Sequence, residues 1–226
     1  MNSPIDFPRV LLFDVNETLL DIGPLKEKVS DLLQDPGAGT LWFTTMLQYS
    51  LAMTVSGRYA ALGEIGAATL QMLARNSDIA LSGKGAQAVL AGLRTLDAHS
   101  DVVPALKRLR GADFRMATLT NSPAAGVQAQ TRHAGIDGFF DRQLTVETVG
   151  RFKPDRAVYE WAAQEMGVAP AECMLVAAHG WDVAGAQWAG MRSAFIAREG
   201  QQKFPLAEPP EIDVPDLVAL ADTFGA

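Results

Sequence analysis

The chain opens on a short apolar run, Arg9-Val10-Leu11-Leu12-Phe13, that breaks at Asp14. Four or five apolar residues are too few for a helix, so the run is predicted as a fully buried strand of a parallel sheet. Turn-forming and polar residues follow at once: Asn16, Glu17 and Thr18. From about Asp21 to His99 the period changes. Trp42, Met46, Tyr49 and Met53 recur at helical spacing, as do Tyr59, Leu62, Leu70 and Leu73, and then Val89, Leu90, Leu93 and Leu96. Turn-rich stretches at 34–39 and 77–85 separate these helices, and no strand-like run interrupts them. After Ser100 the chain alternates. A helix is predicted from Val103 to Arg110, a strand over 114–120, and a helix with Ser122 as N-cap and Pro123 at its first position. A strand around 143–147, a helix opened by Pro154, a strand over 174–178 and a helix after Asp182 come next. A strand over 193–197 and a last helix from near Val214-Pro215-Asp216 complete the pattern. Strands alternating with helices predict an α/β fold with a central parallel sheet. Residues 1–20 and 100–226 form the core in this reading, and 21–99 form a helical subdomain inserted after the first strand.

Composition narrows the class without changing it. Hydrophobic residues make up 48% of the 226 and charged residues 20%, enough apolar material for a core and too much for a disordered chain. With 19 Lys and Arg against 26 Asp and Glu the formal charge is −7, and no basic run appears. A nucleic-acid or anionic-membrane surface is therefore not expected. Cys173 is the sole cysteine, so no intrachain disulfide forms, which fits a cytoplasmic protein, and its apolar neighbours Met174, Leu175 and Val176 mark it as a packing residue. The first six residues lack the pattern of a signal peptide, and no apolar run reaches the ~18 residues of a membrane span.

Four strand ends carry polar groups: Asp14 with Thr18, Thr120 with Asn121, Lys153 ahead of a helix, and His179 with Asp182. In an open α/β sheet all four meet at the carboxyl edge, where such folds place their chemistry. Singly, each has a plain alternative. A strand-end Asp often caps a helix, Thr120-Asn121 suits a turn, Lys153 suits a solvated surface, and Trp181 suits packing. Four in this order ask for a common explanation.

Phe13-Asp14-Val15-Asn16-Glu17-Thr18-Leu19, Leu119-Thr120-Asn121, Lys153-Pro154-Asp155 and His179-Gly180-Trp181-Asp182 resemble the ordered motifs of the haloacid dehalogenase superfamily. Tyr159 and the Ala177-Ala178-His179-x-Trp181-Asp182 pattern are similar to the L-2-haloacid dehalogenase (type II) branch. The resemblance implies a Rossmann-like core with a helical cap and hydrolysis of a short 2-haloacid with inversion, through an ester on Asp14, without metal or organic cofactor. It implies that Lys153 keeps Asp14 ionised, Thr18 fixes its rotamer, and Asp182 orients Lys153 and the hydrolytic water. Tyr159 would support Lys153. Val15, Asn16, Thr120 and backbone N–H groups would take the substrate carboxylate, and Asn121, His179 and Trp181 the halide. Trp42 and Phe43 would line the pocket, and a homodimer is the family habit.

Two departures stand out. Phe43 follows Leu41-Trp42 where the family commonly has Arg, so halide binding falls to Asn121, His179 and Trp181, or to Arg58 swung in from the cap; Phe43 itself suits a core position or a pocket wall. His179 stands where Asn is usual, and can donate to a halide or serve as a base for water. A compact donor set suits fluoride, so fluoroacid activity is included in the expectation. Two other readings remain. A magnesium-dependent phosphatase of this superfamily wants an acid two residues after the nucleophile, and Asn16 cannot donate a proton in that way. A non-catalytic small-molecule binder would not need Asp14, Lys153 and Asp182 together.

Overall fold

The computed structural model describes residues 7–226, so the expectation for the first six residues lies outside them. Strand β1 (Val10–Phe13) has no exposed residue, as a run apolar on both faces requires. Then come α1 (Gly23–Leu33), α2 (Ala38–Val55), α3 (Leu62–Asn76) and α4 (Gly83–Leu90), the last running on into a 3-10 turn at Ala91–Thr95. Helix α5 (Val102–Gly111) leads to β2 (Arg115–Thr120), α6 (Ala124–His133), β3 (Arg142–Thr145) and α7 (Arg156–Glu165). After β4 (Cys173–Ala177) follow α8 (Gly180–Trp188), β5 (Arg192–Ile196), β6 (Ile212–Val214) and α9 (Leu217–Thr223).

The six strands form one parallel sheet in the order β3-β2-β1-β4-β5-β6. Central β1 pairs with both β2 and β4, Phe13 lying beside Thr118 and Val176. The chain winds outward one way from β1 to β3 and the other way from β4 to β6. The crevice beyond the carboxyl ends of β1, β2 and β4 is thus a topological switch point, the place where open α/β sheets hold ligands.

The helices between β1 and α5 pack on one another. Gly39 allows α2 to touch α1, since a Cβ there would lie 2.1 Å from the Lys26 carbonyl oxygen. Trp42 Nε1 donates to the Gly66 carbonyl at 2.9 Å and ties α2 to α3. The two chain segments joining these helices to the sheet bond each other: Asp21 N–H donates to the Asp97 carbonyl and His99 N–H to that of Leu19. No described helix is long and apolar enough to cross a membrane.

Several expected boundaries move. Pro123 is extended and is itself the cap position of α6, so Ser122 does not cap; its hydroxyl accepts from Asn16 Nδ2, and the Ala124 N–H is satisfied by the Glu147 carboxylate. Helix α7 starts after Asp155 rather than at Pro154, because the Asp155 carboxylate caps it by accepting the Ala157 N–H at 2.9 Å. Helix α8 starts at Gly180, two residues ahead of Asp182, which therefore sits in its first turn. Strand β3 stops at Thr145 because a 3-10 turn takes Val146–Thr148. The three-residue β6 was not expected: Ile212-Asp213-Val214 is too short to carry a period.

Candidate active site

Asp14 is the first residue beyond β1, and its backbone N–H donates to the Val176 carbonyl of β4, which fixes where its carboxylate points. Both oxygens are engaged. Oδ1 accepts from Lys153 Nζ at 2.9 Å. Oδ2 accepts from the Thr18 hydroxyl at 2.8 Å and faces His179 Nδ1 at 3.2 Å. Thr18 is held in turn by the Ala178 N–H, which donates to its oxygen at 3.0 Å. One turn after β1 and the loop after β4 thus lock the same rotamer.

Lys153 is only 1% exposed and donates to three oxygens: Asp14 Oδ1, the Leu119 carbonyl at 2.8 Å and Asp182 Oδ2 at 2.5 Å. A buried ammonium is tolerable only when its donors are satisfied and its charge is met, and both conditions hold here. Its loop is pinned from three directions. Asn121 Oδ1 accepts the Lys153 N–H, Thr54 of α2 accepts the Phe152 N–H, and the Phe152 ring stacks on Tyr59 at 5.2 Å.

Asp182 reaches Lys153 from the first turn of α8, and its Oδ1 accepts the Tyr159 hydroxyl at 2.6 Å. Gly185 makes this possible, because a Cβ there would stand 2.4 Å from Pro154 Cβ and 2.7 Å from the Tyr159 hydroxyl. Tyr159 therefore bonds Asp182, and it is wholly buried. It positions Lys153 only through Asp182.

The second ring nitrogen of His179 leads to a residue the sequence reading passed over. His179 Nε2 lies 2.7 Å from Glu17 Oε2, and the other Glu17 oxygen accepts from Lys26 Nζ of α1. Glu17 holds a left-handed backbone (φ 65°), a conformation that costs a non-glycine residue on the order of 1–3 kcal/mol and clusters at functional sites. The His179 ring stacks on Trp181 at 5.3 Å and on Phe43 at 6.2 Å, and Lys26 Nζ sits 4.9 Å above the Phe43 ring.

Burial opposes charge at every one of these groups, and charge partners outweigh it at all of them except Asp182. For Asp14, desolvation is outweighed by Lys153 and His179, which hold its carboxyl well below the usual range. For Lys153, burial is outweighed by Asp14 and Asp182, and its pKa is raised. His179 is pushed up to about 9: burial lowers it, but Asp14 and Glu17 win. Glu17 is lowered against its burial by His179 and Lys26. Asp182 is raised, chiefly by burial and then by the charge of Asp14, with Lys153 opposing.

The other expected residues divide. Thr120 accepts the Ser122 N–H at 3.1 Å, leaving its hydroxyl proton for another acceptor. Among the described residues no hydrogen bond occupies Asn121 Nδ2 or Trp181 Nε1. Val15 is buried, and its carbonyl accepts from Leu19 and Leu20. Asn16 spends its side chain on Ser122 and Gln130, at the floor of a cleft of about 460 Å³ walled by Met46, Leu62, Leu90 and Pro123. A smaller, apolar cleft of about 300 Å³ runs along Leu47 and Leu51 of α2 to Lys153 and Trp181. Phe43 is buried and stacks on His179. Trp42 is corrected to a core residue, fully buried with its N–H committed to Gly66. Arg58 lies exposed after α2 and bonds none of these groups. Cys173 is a buried packing residue of β4, its thiol pushed up to about 12 chiefly by burial.

Phosphatases of the superfamily that the motifs resemble hold magnesium, and these residues do not suit it. Two cationic side chains and a hydroxyl take the Asp14 oxygens, Lys153 and Tyr159 take those of Asp182, and Asn16 turns to Ser122 and Gln130. Among the described residues no group of three His, Cys, Asp or Glu is arranged to hold a metal ion.

A family model described as haloacid dehalogenase-like hydrolase matches residues 8–190. An (S)-2-haloacid dehalogenase of Pseudomonas sp. (strain YL) is 26% identical over 224 residues, covering 97% of this chain and 96% of its own. The (S)-2-haloacid dehalogenase H-109 of Pseudomonas putida is 27% identical over 216 residues, covering 94% and 96%. The solved L-2-haloacid dehalogenase of Xanthobacter autotrophicus with chloropropionic acid covalently bound superposes with a TM-score of 0.88 at 23% identity, over 97% of this chain and 99% of that one.

Proposed function

The chain belongs to the haloacid dehalogenase-like hydrolases, and we propose that within this family it hydrolyses the carbon–halogen bond of a short 2-haloalkanoic acid. The observation that carries this reading is a carboxylate, Asp14, kept ionised between Lys153 and His179, with the amide of Asn16, turned to Ser122 and Gln130, in the place two residues on where a phosphatase of this superfamily wants its acid. Halide departs as an anion and needs no such acid. Relatives named (S)-2-haloacid dehalogenase support the assignment, as does the covalent chloropropionic acid in the structure from Xanthobacter autotrophicus.

In this reading Asp14 attacks C2 from the side opposite the halogen, inverts it, expels halide and becomes an ester. Water then adds to Cγ of Asp14, the bond from Cγ to the bridging oxygen breaks, and the 2-hydroxy acid leaves with that oxygen. Lys153 holds Asp14 ionised for the first step, and Asp182, braced by Tyr159, holds Lys153. The Thr120 hydroxyl takes the substrate carboxylate, and Asn121 Nδ2 with Trp181 Nε1 takes the halide. Residues 21–99 act as a cap over a core of 1–20 and 100–226. No organic cofactor or metal enters these steps. We further read the protein as a cytoplasmic homodimer; Leu41, Leu51 and Val55, exposed on α2, favour a second copy there, which light scattering tests.

The test is halide release from fluoro-, chloro- and bromoacids in EDTA, with both enantiomers of 2-chloropropionate. Chloride release from one enantiomer, giving the hydroxy acid of opposite configuration, is expected. Fluoride release from fluoroacetate would extend the range. Hydrolysis of p-nitrophenyl phosphate that needs magnesium, without halide release, would overturn the assignment.

A further inference from the structure

The geometry gives the two oxygens of Asp14 different work. Oδ2 has two donors, Thr18 and His179, whereas Oδ1 has one, Lys153. A carboxylate oxygen offers two lone pairs, so Oδ1 alone keeps one free to attack carbon. His179 Nδ1 faces Asp14 and Nε2 faces Glu17. Both partners are ionised carboxylates, which only accept, so both ring nitrogens must carry hydrogen. The ring is clamped between Phe43 and Trp181, and Lys26 stands behind Glu17, giving signs that alternate from Asp14 through His179 and Glu17 to Lys26.

We infer that Glu17 is a positioning residue that fixes His179 as an imidazolium against Asp14 Oδ2, so that Oδ1 attacks the substrate and Oδ2 receives the negative charge when the ester is hydrolysed. This rests on the dehalogenase reading and assigns His179 the part of an electrophile rather than a base. In the hydrolytic step water oxygen bonds to Cγ and the carbonyl electron pair moves onto Oδ2, met by His179 Nδ1–H and the Thr18 hydroxyl. The adduct collapses with cleavage of the Cγ–Oδ1 bond, and Oδ1 leaves as the hydroxyl of the product. One proton of the attacking water passes to Oδ1 as the Cγ–Oδ1 bond breaks and becomes the proton of the product hydroxyl. The other is the proton that exchange of halide for water releases to solvent. Charge also favours the arrangement. In the free site Asp14, Glu17 and Asp182 offset Lys153, His179 and Lys26, and esterification of Asp14 leaves one surplus positive charge to hold the substrate carboxylate.

The charged groups facing His179 are Asp14, Glu17 and, beyond them, Lys153 and the partly exposed Lys26, and burial of Asp14, Glu17 and Lys153 to about nine-tenths or more keeps solvent from replacing them. Nitrogen-15 NMR of labelled histidine, assigned with His179→Asn, reads the ring directly. Two protonated nitrogens near pH 7 are expected, with loss of a proton near pH 9 in the wild type and at lower pH in Glu17→Gln. The ester-hydrolysis rate, followed by mass spectrometry of the Asp14 peptide in single turnovers, should be flat below that titration and fall above it. In Glu17→Gln the fall should move down with the ring. His179→Asn keeps a donor that does not titrate, so it should retain a rate within about tenfold of the wild type without the fall. His179→Phe, which loses a donor of oxyanion type, should be ~10²–10³ slower. A hydrolysis rate that rises through the ring titration would make His179 a base and overturn the assignment, as would a neutral ring at pH 7. Failure of the wild type to release any halide would count against the dehalogenase reading alone, because the NMR titration still decides the charge on His179.

Discussion

Two arms reach Asp14, and they are built differently. Lys153, Asp182 and Tyr159 form one, with essentially no exposed atom, carried by the loop before α7, by α7 itself and by the first turn of α8. His179, Glu17 and Lys26 form the other, which leaves the sheet edge, crosses to α1 and ends at a polar cleft of about 490 Å³ that Glu17 and Lys26 line with Asp21, His99 and Arg198. The first arm takes its three side chains from the segments after β2, although Thr54 of α2 and Tyr59 brace the loop that carries Lys153. The second depends on the inserted helices, since Lys26 belongs to α1 and Phe43, which stacks on His179, belongs to α2. An arm inside one layer holds a charge in place. An arm that spans two layers ties the state of the nucleophile to where the inserted helices sit.

Substitutions that strip one arm at a time should separate these parts. Asp14→Asn removes what both arms serve, and halide release should fall by at least ~10⁴-fold, the scale seen when a covalent nucleophile is lost. Lys153→Met strands two buried carboxylates. A fall of ~10³-fold in kcat is expected, with a loss of about 3–5 kcal/mol in denaturant stability, since breaking a buried pair costs that much. Equal losses of activity in Lys153→Met and Lys26→Met would erase the distinction between the arms.

The second arm should show itself in the pH dependence of stability. The folded pKa of His179 is raised, from 6.5 to about 9. The stabilisation it brings is thus complete below about pH 6.5 and lost as pH rises through about 9. Thermal unfolding should therefore show Tm falling over that window in the wild type and less steeply in His179→Asn. A drop of the same size in both would remove His179 as its source.

The smallest effects belong to Tyr159 and Trp42. Tyr159→Phe leaves Asp182 Oδ1 without its donor and should cost about 1–3 kcal/mol, with a lower kcat and little change in KM. Trp42→Phe gives up the bond to Gly66 and should cost a similar 1–3 kcal/mol, with kcat and KM close to the wild type because Trp42 is core. A KM defect in Trp42→Phe would return it to the pocket.

Much of the meeting point at the sheet edge was legible in the sequence. Apolar runs ending in Asp14, Thr120 and His179 place these residues at adjacent carboxyl ends once the sheet is parallel, and order along the chain supplies Lys153. What Tyr159 touches was not legible, because the contact depends on how closely α8 approaches Pro154 at Gly185. Glu17 was missed for another reason. A Glu between Asn and Thr reads as turn chemistry, and nothing local reveals a left-handed residue whose partners lie nine and 162 positions away. Its one signal was a carboxylate one turn from Asp14, and that acquires meaning only once β4 delivers His179. Phe43 fits the same lesson: its apolar side chain suits a core position, but nothing local tells that it meets His179.

The covalent route through Asp14 is tested most directly by one turnover in oxygen-18 water with enzyme in excess over 2-chloropropionate. The hydroxy acid should emerge without label and the peptide carrying Asp14 should gain one oxygen-18, because water attacks Cγ and the product takes an oxygen that Asp14 already held. Label in the hydroxy acid with none in the peptide would mean that water attacks C2 directly, and the ester on Asp14 would be refuted.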